Sequence, residues 1–384
     1  MVKNIIKKYI ILSGLGLRDN NRGTAALGYG AFSFLYDKHL ITKNPQLVKF
    51  LFVKNFFKAG KEDCECIQVQ GLNVTVTTIY ASILEWYMLS ILGKVLPFTK
   101  FGKVVKQVEF VAAINGGDGF SDIYGTGSFI HRLYDTRIAM KLNIPVYLLP
   151  QTIGPFKDDY NKKIATDILR YAFKIYIRDD KYISELNRIG VTYKMSKDLS
   201  YYMKPEPFDI NIKNNSVGIN ISGLAYFNQY KSLSGNFLNY PYLIIKIINS
   251  IRRYNVSVYL IPHSYNYTKP DINNDDIVAC LDVYNQIKDK SNIYLIDQDL
   301  ISPQIKYVIS KMTYFIGTRM HANFAAIYTG VPLYGLAYSY KFEGAFKANK
   351  AYDNNVSLIN NITREDCDFV IDKILNHYER THQY

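Results

Sequence analysis

One short segment places an arginine and a histidine at the start of an apolar helix. Residues 317–330 read GTRMHANFAAIYTG and follow a short β-branched and aromatic run. A strand–Gly–helix turn directs backbone N–H groups and the positive end of the helix dipole outward, which favours a bound anion. Arg319 can bind phosphate or carboxylate through two parallel hydrogen bonds, and His321 can donate or accept a proton. Gly317 would let the backbone approach the ligand, and Thr318 would cap the helix.

The same segment also has a purely structural explanation. Arg319 could extend along the surface with its guanidinium in water, and His321 could merely cap the turn. The apolar run ANFAAIY that follows indicates a buried helix. Arginine and histidine at the start of a buried helix favour the anion site over the purely structural explanation.

A glycine-rich stretch, NGGDGFSD, is the second candidate. Asn115, Gly116 and Gly117 follow a predicted strand, and Asp118 and Asp122 bring carboxylates to the same place. A double glycine is a weak signal by itself, and loop aspartates more often cap helices than catalyse reactions. These residues therefore need support from the elements around them.

The elements that would position these residues alternate between short apolar runs and segments of helical period. This alternation predicts βαβ units and parallel sheets, and so an α/β fold with two Rossmann-like, doubly wound domains facing a cleft. We predict domains at 1–205 and 216–384, separated by the proline-bearing stretch MKPEPFDINIKNNS. Strands are expected near Tyr9–Ser13, Cys64–Val69, Phe110–Asn115, Pro145–Leu149, Lys174–Ile177, Tyr193–Ser196, Val217–Ile221, Ser257–Ile261, Asn292–Ile296, Tyr314–Ile316 and Leu333–Ala337, and the last helix near Thr363.

Ligands of doubly wound sheets bind outside the carboxyl ends of the strands. Arginine, histidine and lysine recur there in this sequence, at Arg178, His263, Arg319 and Lys341. We expect these side chains to share one cleft. The polar residues expected on the acceptor side of that cleft are Asn115, Gly116, Gly117, Gln151 and Asn220.

Charge and cysteine content exclude some classes of function. The formal net charge is +13, which indicates an anionic ligand or surface, but no nucleic-acid-binding motif is present and the lysines are scattered. The four cysteines do not have the spacing of a zinc site. We therefore expect no nucleic-acid partner and no cysteine-bound zinc site.

Residues 43–106 combine lysines with large apolar residues. The segments KNPQLVKFLFVKNFFKAGK and IYASILEWYMLSILGKVLPF are the clearest examples. Ordinary core packing is one explanation, and a peripheral patch that contacts an anionic membrane is the other. The second run holds Glu85 and several small polar residues, which argue against a membrane-spanning helix.

Taken in order, the motifs resemble those of the polysaccharide pyruvyl transferase family. The matching pieces are NNRGTAALGYGAF (20–32), NGGDGFSD (115–122), LLPQTIGPF (148–156), YIRDD (176–180), KDLSYY (197–202), VGINISG (217–223), LIPHSY (260–265) and IGTRMHANFAAIYTGVPLYGLAYSYKFEGAF (316–346). The last block is the most specific. NGGDG departs from the three consecutive glycines of many relatives, which puts the role of Asp118 in question, and residues 43–106 look unlike the family's usual second βα unit.

The resemblance implies two Rossmann-like domains laid out as in GT-B glycosyltransferases. It implies transfer of the enolpyruvyl unit of phosphoenolpyruvate, as donor substrate and without a cofactor or a metal, onto two sugar hydroxyls to give a pyruvate ketal. By similarity, Arg319 and His321 match the family's donor-site pair, and Arg178 and Lys341 match its other donor-site cations. From the residues themselves, we also expect Gly317, Thr318 and His263 at the donor site. Our hypothesis is that His321 is the acid and that Asp118 or Asp122 is the base.

The expected acceptor is a surface-glycan precursor, such as one for a capsule or exopolysaccharide, linked to a polyprenyl diphosphate. We expect a cytoplasmic enzyme, peripheral at the inner face of the bacterial cytoplasmic membrane. Two alternatives stay open at this point. One is a GT-B glycosyltransferase that uses a nucleotide sugar, and the other is a non-catalytic protein that binds a glycan or an anion.

Overall fold

A computed structural model describes residues 8–55, 57–230, 233–338 and 341–382, with the side chain of Lys341 outside the description. Its strands are β1 (Tyr9–Ser13), β2 (Gln46–Val53), β3 (Glu62–Val69), β4 (Leu72–Ser82), β5 (Val108–Ala113), β6 (Val146–Gln151), β7 (Lys174–Ile177), β8 (Lys194–Met195), β9 (Ser216–Asn220), β10 (Ser257–Leu260), β11 (Ile293–Leu295), β12 (Tyr314–Gly317), β13 (Leu333–Ala337) and β14 (Val356–Leu358).

The helices lie mostly between these strands. They are α1 (Arg22–Asp37), α2 (Ile83–Leu92), α3 (Lys100–Val105), α4 (Thr126–Arg132), α5 (Tyr134–Lys141), α6 (Asp159–Tyr171), α7 (Ile183–Arg188), α8 (Leu199–Tyr202), α9 (Gly223–Phe227), α10 (Tyr240–Ile251), α11 (Asp276–Gln286), α12 (Ser302–Ser310), α13 (Met320–Thr329), α14 (Lys341–Ala348) and α15 (Arg364–Thr381). A 3₁₀ turn occupies Arg252–Tyr254. The capping box predicted at Thr363 and Asp366 is present at the start of α15.

Two compact units divide the chain. Unit 1 comprises Met1–Gly16 and Leu27–Met203, and unit 2 comprises Leu17–Ala26 and Lys204–Tyr384. The break after Met203 lies close to the predicted end of the first domain at residue 205. The sequence did not predict that residues 17–26 belong to the second unit.

Each unit is built on one sheet. In the described part of unit 1 the strand order is β3-β4-β2-β1-β5-β6-β7-β8, and in unit 2 it is β11-β10-β9-β12-β13-β14. Neighbouring strands are parallel in both sheets except for the β3–β4 pair, which is antiparallel. Central strands such as β9 and β12 are buried along their whole length, as expected for a parallel sheet covered on both faces.

Most predicted strands are present, but the sequence analysis missed β2, β4 and β14. Strands β3 and β4 form a hairpin whose two-residue turn, Gln70–Gly71, has positive φ at both positions, 53° and 80°. Such a turn matches the twist of the paired strands. Residues 43–106 are therefore a strand-rich extension of the first sheet followed by α2 and α3.

Candidate active site

The centre of the candidate site in unit 2 is an ion pair between Arg319 and Asp276. Arg319 is the residue just before α13, where it follows β12. Its Nη2 and Nε atoms donate to Asp276 Oδ1 at 2.6 and 3.1 Å, and the Asp276 side chain is completely buried. Burial alone would lower the pKa of Arg319, but the Asp276 carboxylate outweighs it and raises that pKa. Arg319 is therefore a permanently charged and firmly oriented group.

Asp276 also fixes the backbone around the arginine. Its Oδ1 atom accepts a hydrogen bond from the N–H of Gly223 at 2.8 Å, and its Oδ2 atom accepts from the N–H groups of His263 and Ser264 at 3.0 and 2.8 Å. These donors follow β9, which pairs with β12, and β10, which lies on the other side of β9 in the sheet. One carboxylate thus joins three successive strand ends of unit 2. The sequence analysis missed Asp276, because acidic residues at a helix start are common and carry little signal.

Two histidines lie beside this pair. His263 is buried, and burial lowers its pKa well below the usual range. The positive charges of His321, Arg319 and Arg22 push that pKa in the same direction. His263 is therefore a neutral imidazole at physiological pH, and it lies close to Arg319, Arg22 and His321.

Arg22 holds Leu17–Ala26, the N-terminal segment that belongs to unit 2. This buried guanidinium donates to the Leu300 carbonyl at 2.8 Å and to Asp299 Oδ1 at 2.8 Å, and it stacks over the Tyr265 ring. The Arg22 N–H donates to the His263 carbonyl at 3.1 Å. Arg22 therefore locks the first turn of α1 against the strand end that carries His263.

This docking brings Gly23 against His321. A Cβ atom at Gly23 would lie only 2.6 Å from His321 Nδ1, so no larger residue fits there without moving the imidazole. The N-terminal ends of α1 and α13 thus both lie at the His321 ring. Both Arg22 and Gly23 belong to the motif NNRGTAALGYGAF, but the sequence analysis assigned neither a role.

Gly317 and Thr318 differ from their predicted roles. A Cβ atom at Gly317 would lie 2.3 Å from Asn323 Oδ1, so the space beside this glycine is filled by protein and not by a ligand. Thr318 is fully buried and its hydroxyl lies 2.7 Å from the Tyr240 hydroxyl, while Arg319 occupies the N-cap position of α13. Thr318 does not cap the helix, and its hydroxyl contacts another side chain of the protein.

Asn220 also has a structural role in place of the acceptor contact that we expected. Its Oδ1 atom accepts the Arg319 N–H at 2.8 Å, and its amide nitrogen donates to the Ile261 carbonyl at 2.9 Å. The side chain is completely buried, so it has no group left for a sugar. The predicted role of Lys341 falls on a side chain outside the described residues, although α14 begins at this position.

In unit 1 the glycine-rich loop after β5 lies against Arg178. Asn115, Gly116 and Gly117 all have positive φ, at 48°, 65° and 82°. A Cβ atom at Gly117 would lie 2.8 Å from Arg178 Nη1, whereas one at Gly116 would meet nothing within 4 Å. Gly117 is thus required for the close approach of the guanidinium, and Gly116 leaves the outer face of the loop open.

Arg178 is held much as Arg319 is held in the other unit. It lies just after β7, donates from Nη1 to Asp198 Oδ2 at 2.5 Å and from Nε to Thr152 Oγ1 at 3.0 Å. Burial would lower the pKa of Arg178, but the buried Asp198 carboxylate raises it. Each unit therefore carries one oriented arginine at a strand end, anchored on a buried aspartate.

The two predicted aspartates of the loop behave differently. Asp122 accepts hydrogen bonds from the N–H groups of Lys157 and Asp158 and from the Asn161 amide. Burial raises its pKa, but these donors outweigh burial and lower it. A saturated carboxylate of low pKa is a poor base, so the geometry corrects the prediction for Asp122. Asp118 is half-buried, accepts only one side-chain hydrogen bond, from the Tyr124 hydroxyl at 2.8 Å, and keeps acceptor capacity for a ligand.

Gln151 and Asn115 hold the glycine-rich loop through buried hydrogen bonds. The Gln151 side chain is buried, accepts from the Asn115 amide at 3.0 Å and donates to the carbonyls of Ala113 and Leu149. All its polar groups are used, so Gln151 holds the loop and does not contact an acceptor. The Asn115 Oδ1 atom is buried and makes no hydrogen bond among the described residues.

Within the described ranges, no group of three or more histidine, cysteine or carboxylate side chains is arranged to hold a metal ion. The same residues contain no helix that is both long and apolar enough to cross a membrane.

Comparison with solved structures identifies a common fold. The UDP-GlcNAc 2-epimerase of Neisseria meningitidis, solved with bound UDP-GlcNAc, is 11% identical and aligns with a TM-score of 0.52 over 98% of this chain and 93% of its own. A putative UDP-N-acetylglucosamine 2-epimerase of Listeria monocytogenes is 9% identical, with a TM-score of 0.51 over 98% and 89% of the two chains. At such identities the likeness concerns the fold alone, and it confirms the predicted α/β class with two Rossmann-like units.

Comparison of sequences is more specific. The amylovoran biosynthesis protein AmsJ of Erwinia amylovora is 22% identical over 262 residues, which cover 65% of this chain and 61% of that protein. The chain thus spans less than two thirds of this curated relative. The model of the family described as polysaccharide pyruvyl transferase matches residues 21–340, which include all the motifs discussed above except the first residue of the first motif and the last six of the final block. The chain belongs to the polysaccharide pyruvyl transferase family.

Proposed function

We propose that this protein transfers the enolpyruvyl unit of phosphoenolpyruvate onto two hydroxyls of one sugar in a surface-glycan precursor. The observation that carries the proposal is the Arg319–Asp276 pair at the start of α13, with His321 and the neutral His263 beside it. Phosphoenolpyruvate carries a phosphate and a carboxylate. A guanidinium with two oriented N–H groups and the N-terminus of a helix are suited to bind these anionic groups.

The reaction balances without a cofactor. The methylene carbon of the donor gains a proton and becomes a methyl group, and two C–O bonds form between C2 and the sugar oxygens. The bond between C2 and the phosphate oxygen breaks. The two sugar hydroxyls lose two protons. One balances the proton that the acid gives to the methylene carbon, and the other leaves with phosphate.

The residues supply this chemistry as follows. Arg319 binds the donor as a fixed fork, and its Nη1 atom makes no hydrogen bond among the described residues. His321 is the acid that protonates the methylene carbon. The role of Asp118 as the base for a sugar hydroxyl stays a prediction; its carboxylate accepts the Tyr124 hydroxyl. Donor binding by Arg178 and Lys341 remains a prediction.

The proposed acceptor is a glycan linked to a polyprenyl diphosphate, of the kind used for capsule or exopolysaccharide. This proposal places the enzyme at the inner face of the cytoplasmic membrane, where such an acceptor is embedded. The relative from Erwinia amylovora is described as a biosynthesis protein for amylovoran, which supports a role in polysaccharide assembly.

The direct test is an incubation with phosphoenolpyruvate and a synthetic lipid-linked glycoside. We expect release of phosphate and a product whose mass increases by one pyruvyl ketal. Turnover of a nucleotide sugar without use of phosphoenolpyruvate would favour a glycosyltransferase. Binding of phosphoenolpyruvate without phosphate release would favour a non-catalytic protein.

The role of His321 is tested by His321→Ala. A lost general acid lowers turnover by a factor on the order of 100 or more, while donor affinity changes little. His131→Ala, at an exposed histidine of α4, is the matched control. If His321→Ala weakened donor binding but kept nearly full turnover, the acid would be another group.

A further inference from the structure

Helix α2 directs apolar side chains to solvent. Its sequence is ILEWYMLSIL, and the residues buried from solvent are Glu85 and Leu89. The most exposed large side chains of the helix are Leu84 at 55%, Tyr87 at 54%, Ile91 at 74% and Leu92 at 60%. A surface helix of a soluble protein has the opposite arrangement, with its charged residues outward.

The orientation of α2 is fixed from inside unit 1. Glu85 accepts the Ser82 N–H at 3.0 Å as part of a capping box, which holds the one carboxylate of the helix inward. Trp86 stacks on Tyr134 with 4.0 Å between ring centroids and also contacts Phe52. The apolar outer face is therefore a consequence of specific packing on the inner face.

Two phenylalanines extend the apolar surface beyond the helix. Phe57, which is 89% exposed, follows β2, and Val53 at the end of β2 pairs with Ser82 at the start of α2. The segment with Phe57 therefore leaves the sheet at the edge where α2 begins. Phe98, which is 69% exposed, follows the helix in sequence. We call Phe57, Leu84, Tyr87, Ile91, Leu92 and Phe98 the α2 patch.

Exposed lysines border the α2 patch, and the acid Glu62 lies near it as well, paired with Lys100 two residues after Phe98. Lys54 and Lys58 flank Phe57, Lys94 follows the helix, and all three are exposed. Between residues 79 and 98 the one acid is the buried Glu85. Elsewhere, strongly exposed apolar residues such as Phe173 and Leu238 lie on separate parts of the chain. An apolar patch with a basic border is the composition expected of a surface that contacts anionic lipid.

The length of α2 limits the mode of contact. Ten residues of helix are about 15 Å long, roughly half of the hydrocarbon thickness of a bilayer. The helix is thus suited to lie in the plane of the interface. A two-fold contact between identical copies would place the lysines of one patch near those of the other, which disfavours a second copy as the occupant.

We propose that the α2 patch docks unit 1 on an anionic lipid surface. The apolar side chains of the patch enter the interface, and Lys54, Lys58 and Lys94 contact the headgroups. This inference deepens the membrane location proposed above by naming the surface. Its test measures binding and not turnover, so it can fail while the proposed reaction stands, and the reaction can fail while it stands.

The experiment is co-sedimentation of the full chain with phosphatidylcholine vesicles, with and without phosphatidylglycerol. The wild type is expected to sediment with anionic vesicles, and less so as salt is raised. The variant Leu84→Ser/Ile91→Ser/Leu92→Ser is expected to lose this binding. Trp86, the only tryptophan of the chain, provides a fluorescence readout on the same helix.

A second variant, Lys54→Gln/Lys58→Gln/Lys94→Gln, isolates the charges. Each lysine near an anionic surface contributes about 1 kcal/mol, so three together predict binding weaker on the order of 100-fold. Leu238→Ser, at a residue of unit 2 that is 79% exposed, is the matched control and should sediment like the wild type.

Three results would overturn the proposal. The first is wild-type protein that stays in the supernatant with anionic vesicles, and the second is a serine variant that sediments as well as the wild type. The third is a dimer in light scattering that the serine variant converts to a monomer, because the patch would then be covered by a second copy.

Discussion

Replacement of Asp276 by asparagine tests whether one buried carboxylate organises the donor site. Its Oδ1 atom accepts from Gly223 N–H and from the Arg319 guanidinium, and its Oδ2 atom accepts from the N–H groups of His263 and Ser264. An asparagine has one oxygen and one NH₂ group. Whichever way it turns, the NH₂ group faces at least two donors that have lost their acceptor.

The expected cost follows from this geometry. Each buried donor left without a partner costs about 1–3 kcal/mol, and removal of one member of a buried ion pair costs about 3–5 kcal/mol. We expect Asp276→Asn to lower the free energy of unfolding by about 3–5 kcal/mol. That is a large fraction of the roughly 5–15 kcal/mol that stabilises a typical domain, but it leaves the protein foldable.

Function should fall along with stability. Without its carboxylate partner, Arg319 loses its fixed orientation, and small misplacements of a binding group can cost on the order of 100-fold in rate. We expect a loss of this order in kcat/KM for phosphate release from phosphoenolpyruvate, measured at a temperature at which the variant is folded. Urea unfolding followed by circular dichroism measures the stability.

Asp282→Asn is the matched control, because it makes the same chemical change on the same helix at an exposed position. The reasoning is refuted if Asp276→Asn unfolds at the wild-type urea concentration and releases phosphate at the wild-type rate. It is also refuted if the control loses as much stability as Asp276→Asn.

Two further predictions concern Gly117 and His263. Gly117→Ala forces a Cβ atom to within 2.8 Å of Arg178 Nη1 and should lower transferase activity by about 10- to 100-fold. Gly190 has a similar positive φ but open space around it, so Gly190→Ala should keep an activity close to that of the wild type. Equal activities of the two variants would show that the loop does not position Arg178. Because the folded state holds the pKa of His263 low, only the unfolded state binds a proton near pH 6, so stability should fall as pH drops below about 6.5, by up to about 1.4 kcal/mol per pH unit. Urea unfolding at pH 7.5 and 5.5 measures this loss, and a His263→Gln variant with the same pH dependence as the wild type would contradict it.

Several features of the fold were accessible from sequence because they depend on local patterns. The strands β1, β7 and β13 begin and end as predicted, since short apolar runs bounded by polar turns define buried parallel strands. The capping box at the start of α15 was visible for the same reason. Strands β2 and β4 were missed because their lysine and threonine residues interrupt the apolar pattern, and tertiary pairing overrides that signal.

The candidate site was predicted in part. Arg319, His321 and His263 lie together in unit 2, as their positions after predicted strands indicated. Thr318, Asn220 and Gln151 have polar side chains at strand ends, but their groups are hydrogen-bonded within the protein. A sequence shows that a polar residue follows a strand. It does not show whether the side chain faces a ligand or supports its neighbours.

The sequence alone determined the family and the alternation of strands and helices, because motif and period are properties of neighbouring residues. The tertiary structure decided which buried acids orient those side chains. Asp276 is separated from Arg319 by more than 40 positions, and Gly23 is almost 300 positions from His321, yet both pairs are in contact. Such contacts depend on which strand ends become neighbours in the sheet, and that order is not encoded in any short stretch of the chain.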